Sequence, residues 1–408
     1  MSASRRWART LALLAAAALA MGAGAPGPPQ PPPDGRVLDA LLVPRAAPDL
    51  PGTTYREFTT TLPDPRGGPI RGDVVEVDLT SPAVRVDLLT PPFVAAVATV
   101  PELAGRAGAV AAVNGGFFDQ GGSGAPVGVQ IVDGALRSSG VPVGRRPAPP
   151  VPPGEDPDTV VGVDADGRAH LARVAHRGRA VAADREVALA GLDGYAVPVD
   201  GVGVFDAAWG DAPRTRATCG SDTDARAPCS ADTLEVRVAR GQVVAVGPPG
   251  ADRLPAGTVA LVGRDRGAAS LRGLAVGTAV RVERTVDALG APPLRVAVGA
   301  LPLARGGRAL AGLQDSERAP RTAVGMSADG RRLWLVTADG RQEASVGTTL
   351  AELARLLTDL GATVAASLDG GGSTTMVRRG HDEDLGVVNT PSADPLRAVT
   401  DALAVLPR

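Results

Sequence analysis

Two periods of apolar residues run along this chain, and where they change marks its elements. Between Val74 and Leu89 they alternate, as Val75, Val77 and Leu79 and then Val84, Val86 and Leu88, which predicts one or two strands with one buried face. Thr99-Val100-Pro101-Glu102 opens a short helix: Thr99 and Glu102 have capping-box spacing, and Pro101 suits the first turn. Gly108 stops it. Ala109 to Val113 is then a short apolar strand running straight into Asn114-Gly115-Gly116-Phe117-Phe118-Asp119. From Val160 to about Val298 no long helical period occurs, and hairpins are predicted around Asp166-Gly167 and Arg240-Gly241.

The helical period returns late. A hairpin from Val324 to Val336 turns at Asp329-Gly330. Thr349 and Glu352 form a second capping box; Leu350, Leu353, Leu356, Leu357 and Leu360 mark one helical face, and Gly361 ends it. Val364 to Leu368 is a buried-type strand leading into Asp369-Gly370-Gly371-Gly372-Ser373-Thr374-Thr375. The expected fold class is α+β, a mixed twisted sheet with a few helices and a β-rich elaboration in the middle. Two units thus end a strand on a polar residue and a glycine turn, and in parallel sheets that edge is where sites form.

Composition adds a compartment. Arg5, Arg6 and Arg9, an apolar run from Leu11 to Met21, and Ala23-Gly24-Ala25 together read as a cleavable signal peptide over residues 1–25. A proline-rich linker follows at 26–50, then one domain at 51–408 with the β-rich insertion at about 150–300. No later segment is long and apolar enough to span a bilayer, so a secreted protein without stable membrane insertion is expected. Cys219 and Cys229 are the only cysteines, and in an exported chain they predict one disulfide, worth roughly 2–3 kcal/mol for so short a loop. A net charge of −2 argues against nucleic acid as a partner. There is no Lys, and only two Asn occur, Asn114 and Asn389.

The chemistry concentrates in the glycine turns. Asp369 pairs a carboxylate with Gly370, Gly371 and Gly372, whose N–H groups can form an anion nest, and with the hydroxyls of Ser373, Thr374 and Thr375. The turn is neither a P-loop, since it lacks the lysine, nor a nucleophile elbow, since it lacks the second glycine. Three His, none in a recognisable setting, argue against a serine hydrolase or a zinc site. Asn114 and the adjacent rings could bind a sugar, with at least one ring in the core. Arg321, after Pro320, could present a fork to a phosphate.

Five segments occur in an order that resembles the phosphodiester glycosidase family, that of N-acetylglucosamine-1-phosphodiester α-N-acetylglucosaminidase. They are Asn114 to Phe118, Pro320 to Gly325, Asp339 to Arg341, Leu368 to Thr375 and Val388 to Ser392. This chain departs from the pattern at Ala319, Ser367 and Ala393, where His, Asn and Asp are common. The resemblance implies hydrolysis of a glycan-phosphate on its sugar side. It implies Asp369 as nucleophile or base, Arg321 on the phosphate, and Asn114 on sugar hydroxyls. Gly115, Gly116, Phe118, Asp119, Thr322, Gly370, Gly371, Gly372, Ser373, Thr374, Asn389 and Arg397 complete the expected substrate site. Asp119 or Glu317 is the expected second carboxylate. No cofactor is expected, with calcium near Asp369 left open. The competing reading is a non-catalytic binding protein for cell-wall or capsular glycan phosphate.

Overall fold

The computed structural model describes residues 51–61, 67–380 and 384–408, and the backbone of the strand Leu42–Pro44. The expected signal peptide and most of the expected linker lie outside these residues. Leu42–Pro44, counted with the linker, pairs antiparallel with the edge strand Thr53–Thr61.

The chain is mostly β, with four sheets of eight, seven, five and five strands and three α-helices among the described residues. The expected few helices and β-rich middle are present, while the α+β label fits loosely and the mixed sheet is replaced by several largely antiparallel ones. Part of the physical reason lies in the turns: short Asp-Gly and Arg-Gly connections bring a strand back beside its predecessor, and such hairpins are antiparallel. The strands flanking Asp166-Gly167, Arg240-Gly241 and Asp329-Gly330 all pair this way. Among the described residues the parallel pair is Gly191–Leu192 with Val202–Phe205.

The two sheets that matter here stack with a helix on each outer face. In the eight-stranded sheet, Val75, Val324, Leu333 and Leu335 point to the central core, and Val74, Ala323, Trp334 and Val336 point to the other side. That side is covered by the helix Leu350–Asp359 through Leu350, Leu353 and Leu357. In the five-stranded sheet, Val113, Leu403 and Val405 face the same central core. Ala112, Ala402 and Ala404 face the helix Val100–Ala107 through Val100 and Leu103. The period of two along each strand thus produces an α/β/β/α stack. Both helices begin with the expected capping boxes at Thr99 and Thr349, and Gly108 closes the first in the left-handed conformation.

Val296 and Val298, from the seven-stranded sheet, reach the central core too. The five-stranded sheet Gly191–Arg264 packs in a further core, around Val204, Val236, Leu261 and Leu271, to which Ala180, Val187 and Leu189 of the seven-stranded sheet contribute. Cys219 and Cys229 form a disulfide in this middle region. No helix among the described residues is long and apolar enough to cross a membrane.

Candidate functional site

Asn114 ends the strand Ala111–Asn114 of one sheet, and Asp369 follows the strand Val364–Ser367 of the other. The fully buried Asn114 amide ties these sheets together. Its Nδ2 donates to the Asp369 carbonyl at 2.7 Å; its Oδ1 accepts from Thr322 Oγ1 at 2.7 Å and from the Thr375 N–H at 3.2 Å. Asn114 and Thr322 are therefore positioning residues. Their side chains are turned into the protein and bonded there, whereas Asn114 was expected on sugar hydroxyls and Thr322 in the substrate site.

Asp369 stands half-buried at the end of the sheet. Its N–H donates to the Gly115 carbonyl at 2.9 Å, and its Oδ1 accepts the Gly370 N–H at 3.0 Å. Burial pushes its carboxyl up to about 6; the Ser373 hydroxyl, the Gly370 N–H and the charges of Arg397 and Arg321 pull the other way.

Three guanidinium groups gather round the turn after it. Arg321 begins the strand Arg321–Met326 and is 8% exposed; its Nε donates to the Thr348 carbonyl at 3.1 Å and an Nη to the Glu317 carbonyl at 3.2 Å. Burial lowers its pKa, Glu317 and Asp369 act in the opposite sense, and Arg341 adds to the lowering. Arg341 lies against Gly371 and Arg397 against Gly372: a β-carbon on those glycines would come within 3.3 Å and 2.5 Å of the guanidinium nitrogens. Arg397 also donates to Ser373 Oγ at 3.3 Å. None of the three forms a salt bridge with a carboxylate among the described residues. Arg341 was legible, since it closes the quoted Asp339-Gly340-Arg341 segment, and its φ of +60° marks a backbone held against preference.

The expected nest is only partly available. The Gly370 N–H is on Asp369, and the Gly371 N–H donates to the Pro320 carbonyl at 2.7 Å. Thr374 is wholly buried, its hydroxyl without a protein partner. Positive charge comes from the arginines instead.

Behind Asp369 lies a carboxyl that the sequence reading missed. Asn114 pairs with Ala402 in antiparallel register, so Gly115 after one strand sits beside Asp401 before the other. The Gly115 N–H donates to the Asp401 carbonyl at 2.9 Å, and the Gly116 N–H to Asp401 Oδ1 at 2.7 Å. Gln130 Nε2 donates to Asp401 Oδ2. A side chain at 115 is impossible here, since its β-carbon would fall 1.8 Å from Asp401 Oδ1. Asp401 is fully buried, and burial together with the charge of Asp369 pushes it up to about 7. Its signal in the sequence is a polar residue at the start of an apolar strand.

Other expected site residues are held elsewhere. Phe118 is in the core against the helix Val100–Ala107, and Phe117 is the partly exposed ring. Asp119 accepts from Ser123 and pairs with Arg216 at 3.2 Å, so it braces its own loop. Asn389 is buried: its Nδ2 donates to Asp339 Oδ1 at 3.1 Å and its Oδ1 accepts the Met376 N–H at 2.7 Å. The placements of Asn114, Thr322 and Asn389 share one cause. A short polar side chain beside a buried glycine turn finds backbone partners before it can reach solvent. Glu317 is exposed. No three His, Cys, Asp or Glu side chains gather as a metal-binding group among the described residues.

Comparison with known proteins bears out the family resemblance. Residues 232–406 match the family model for phosphodiester glycosidase. No curated protein matches the chain. Among solved structures, a hypothetical protein from Synechocystis superposes with a TM-score of 0.67 at 21% identity, over 88% of this chain and 62% of that one. This chain thus spans about three fifths of that protein. A protein of Burkholderia pseudomallei K96243, described as a candidate exported protein, gives 0.63 at 25% identity, over 83% and 74%. The zebrafish N-acetylglucosamine-1-phosphodiester α-N-acetylglucosaminidase catalytic domain, auto-inhibited by its pro-peptide, gives 0.45 at 16% identity, over 88% and 85%.

Proposed function

We propose that this protein is an exported hydrolase that cleaves a sugar-1-phosphodiester at the anomeric carbon. The observation that carries the reading is the convergence of Arg321, Arg341 and Arg397, unpaired with any carboxylate among the described residues, on the turn that follows half-buried Asp369. Three such cations beside one carboxylate suit a substrate that is anionic next to its reactive carbon. The phosphodiester glycosidase match over residues 232–406 supports the same chemistry. Export rests on the signal-like residues 1–25 and on the disulfide.

In this mechanism the arginines take the phosphate and Asp369 faces the anomeric carbon. The C–O bond breaks with its electron pair going to the phosphate monoester. That leaving group is a weak base, so it needs charge neutralisation more than a proton. Asp369 acts as its carboxylate, as nucleophile or as base toward water; water supplies the new anomeric hydroxyl. Asp401, its carboxyl pushed up by burial, orients the Gly115–Gly116 segment on which Asp369 rests. Asn114 fixes Asp369 through its carbonyl.

The test is hydrolysis of sugar-1-phosphodiesters, including N-acetylglucosamine-α-phosphate-methyl and teichoic-acid-like polymers, in water enriched in heavy oxygen. Label in the free sugar is the expected result. Label in phosphate would move the attack to phosphorus, and saturable binding without turnover would make this a glycan-phosphate binding protein.

A further inference from the structure

The strand leading to Asp369 has a different neighbour on each side. Ser367 pairs with Ala323 on one side and with Leu301 on the other. Arg321 precedes Ala323 by two residues, so the arginine pole lies on the first side. Gly299 precedes Leu301 by two residues, so it lies on the second. There Gly299, Leu301, Phe117, Val127 and Val151 help to line a cavity of about 270 Å³. That is close to the lower end of small-molecule sites, roughly 300 Å³. It lies near Asp401: a β-carbon on Gly116 would lie 3.1 Å from the Gly299 carbonyl oxygen and 4.0 Å from Asp401 Oδ2.

The cavity offers little to a hydroxyl. Arg146 is the one polar side chain among its lining residues. Its guanidinium already serves the Val141 carbonyl at 2.7 Å, the Pro157 carbonyl, and Asp158 at 2.6 Å. Pro149, Pro150 and Pro157 add wall without any N–H. A bare sugar ring lodged here would leave its hydroxyls unpartnered. An alkyl chain would lose nothing.

We infer that this cavity binds an acyl chain of several carbons carried by the sugar of the substrate. The inference rests on the glycosidase reading: the phosphate goes to the arginines, the anomeric carbon to Asp369, and the chain to the side away from the phosphate. An acetyl group would leave most of the space empty. The substrate class is therefore a phosphodiester of an acylated sugar longer in its acyl chain than acetyl.

The experiment is calorimetric titration of the intact protein with N-acetyl, N-butyryl and N-hexanoyl glucosamine 1-phosphate, beside an Ala148→Trp variant that fills the cavity. Affinity should tighten roughly fourfold for each methylene buried, and Ala148→Trp should flatten that rise. A flat or falling series in the unaltered protein overturns the inference, as does a rise that Ala148→Trp leaves intact. Binding is the readout, so the outcome is independent of turnover. A steep series without hydrolysis of any diester would sink the glycosidase reading and leave the acyl site standing.

Discussion

Replacing Asp401 by Asn should stabilise this protein, and only at neutral to alkaline pH. The carboxyl is fully buried and moved from 3.8 to about 7 by burial and by the charge of Asp369. In the unfolded chain it is ionised from about pH 4 upward. The folded state therefore holds a proton that the unfolded state lacks between about pH 4 and 7, and stability falls as pH rises through that window, then levels off. The whole displacement corresponds to roughly 4 kcal/mol above pH 7. An Asn keeps the Gly116 bond through its Oδ1. Its Nδ2 would face Gln130 Nε2, but Gln130 Oε1 has no partner, so a flip of the Gln130 amide restores a donor–acceptor pair. Allowing for the buried amide, a net gain of about 1–3 kcal/mol at pH 8 and almost none at pH 4 is expected. That is about 1–2 °C in Tm per kcal/mol for a domain of this size. Thermal melts of both proteins from pH 4 to pH 8 measure it. A variant that is less stable at pH 8 by as much as at pH 4 would show that the buried charge was not the cost we assign to it.

Three further outcomes follow from the same geometry. Asp369→Asn should lower kcat by roughly 10²–10⁴-fold with the melting curve retained, and the parent kcat/KM should rise with pH as Asp369 ionises near pH 6; unaltered turnover would remove Asp369 from the chemistry. Arg397→Ala should raise KM about tenfold, because the phosphate is deprived of one charge-assisted hydrogen bond, and addition of salt should narrow the difference; an unchanged KM would place the phosphate elsewhere. Asn114→Ala should cost about 3 kcal/mol in urea unfolding, because it leaves Thr322 Oγ1, the Thr375 N–H and the Asp369 carbonyl buried without their partner. A cost below about 0.5 kcal/mol, the level of a surface change, would show that the amide does not hold the sheets together.

What could be read from the chain was local. Capping boxes at Thr99 and Thr349, Asp-Gly turns and the two apolar strands before Asn114 and Asp369 are set by neighbours a few residues apart, and they occur as expected. The sheet partners are set by residues hundreds of positions apart. Nothing near Asn114 announces that Ala402 lies opposite it, and so Asp401 went unseen. The same gap explains Asn114, Thr322 and Asn389. Whether an amide or hydroxyl faces substrate or backbone depends on what the other sheet brings to it. Asp119 was unreadable for a similar reason, since its partner Arg216 comes from the distant middle region.

The strand register has a practical consequence for anyone expressing the family-matched segment by itself. Residues 232–406 include the strands Arg332–Ala338 and Ala402–Pro407, but Arg332–Ala338 pairs with Pro69–Asp78, and Ala402–Pro407 is sandwiched between Val84–Leu89 and Ala111–Asn114. A recombinant chain starting at 232 would carry naked apolar edges at the middle of both sheets, and such edges invite neighbouring molecules to add strands. It should emerge as inclusion bodies, whereas co-expression with residues 51–231 as a separate polypeptide offers those edges their own partners and is the fragment pair to try for complementation.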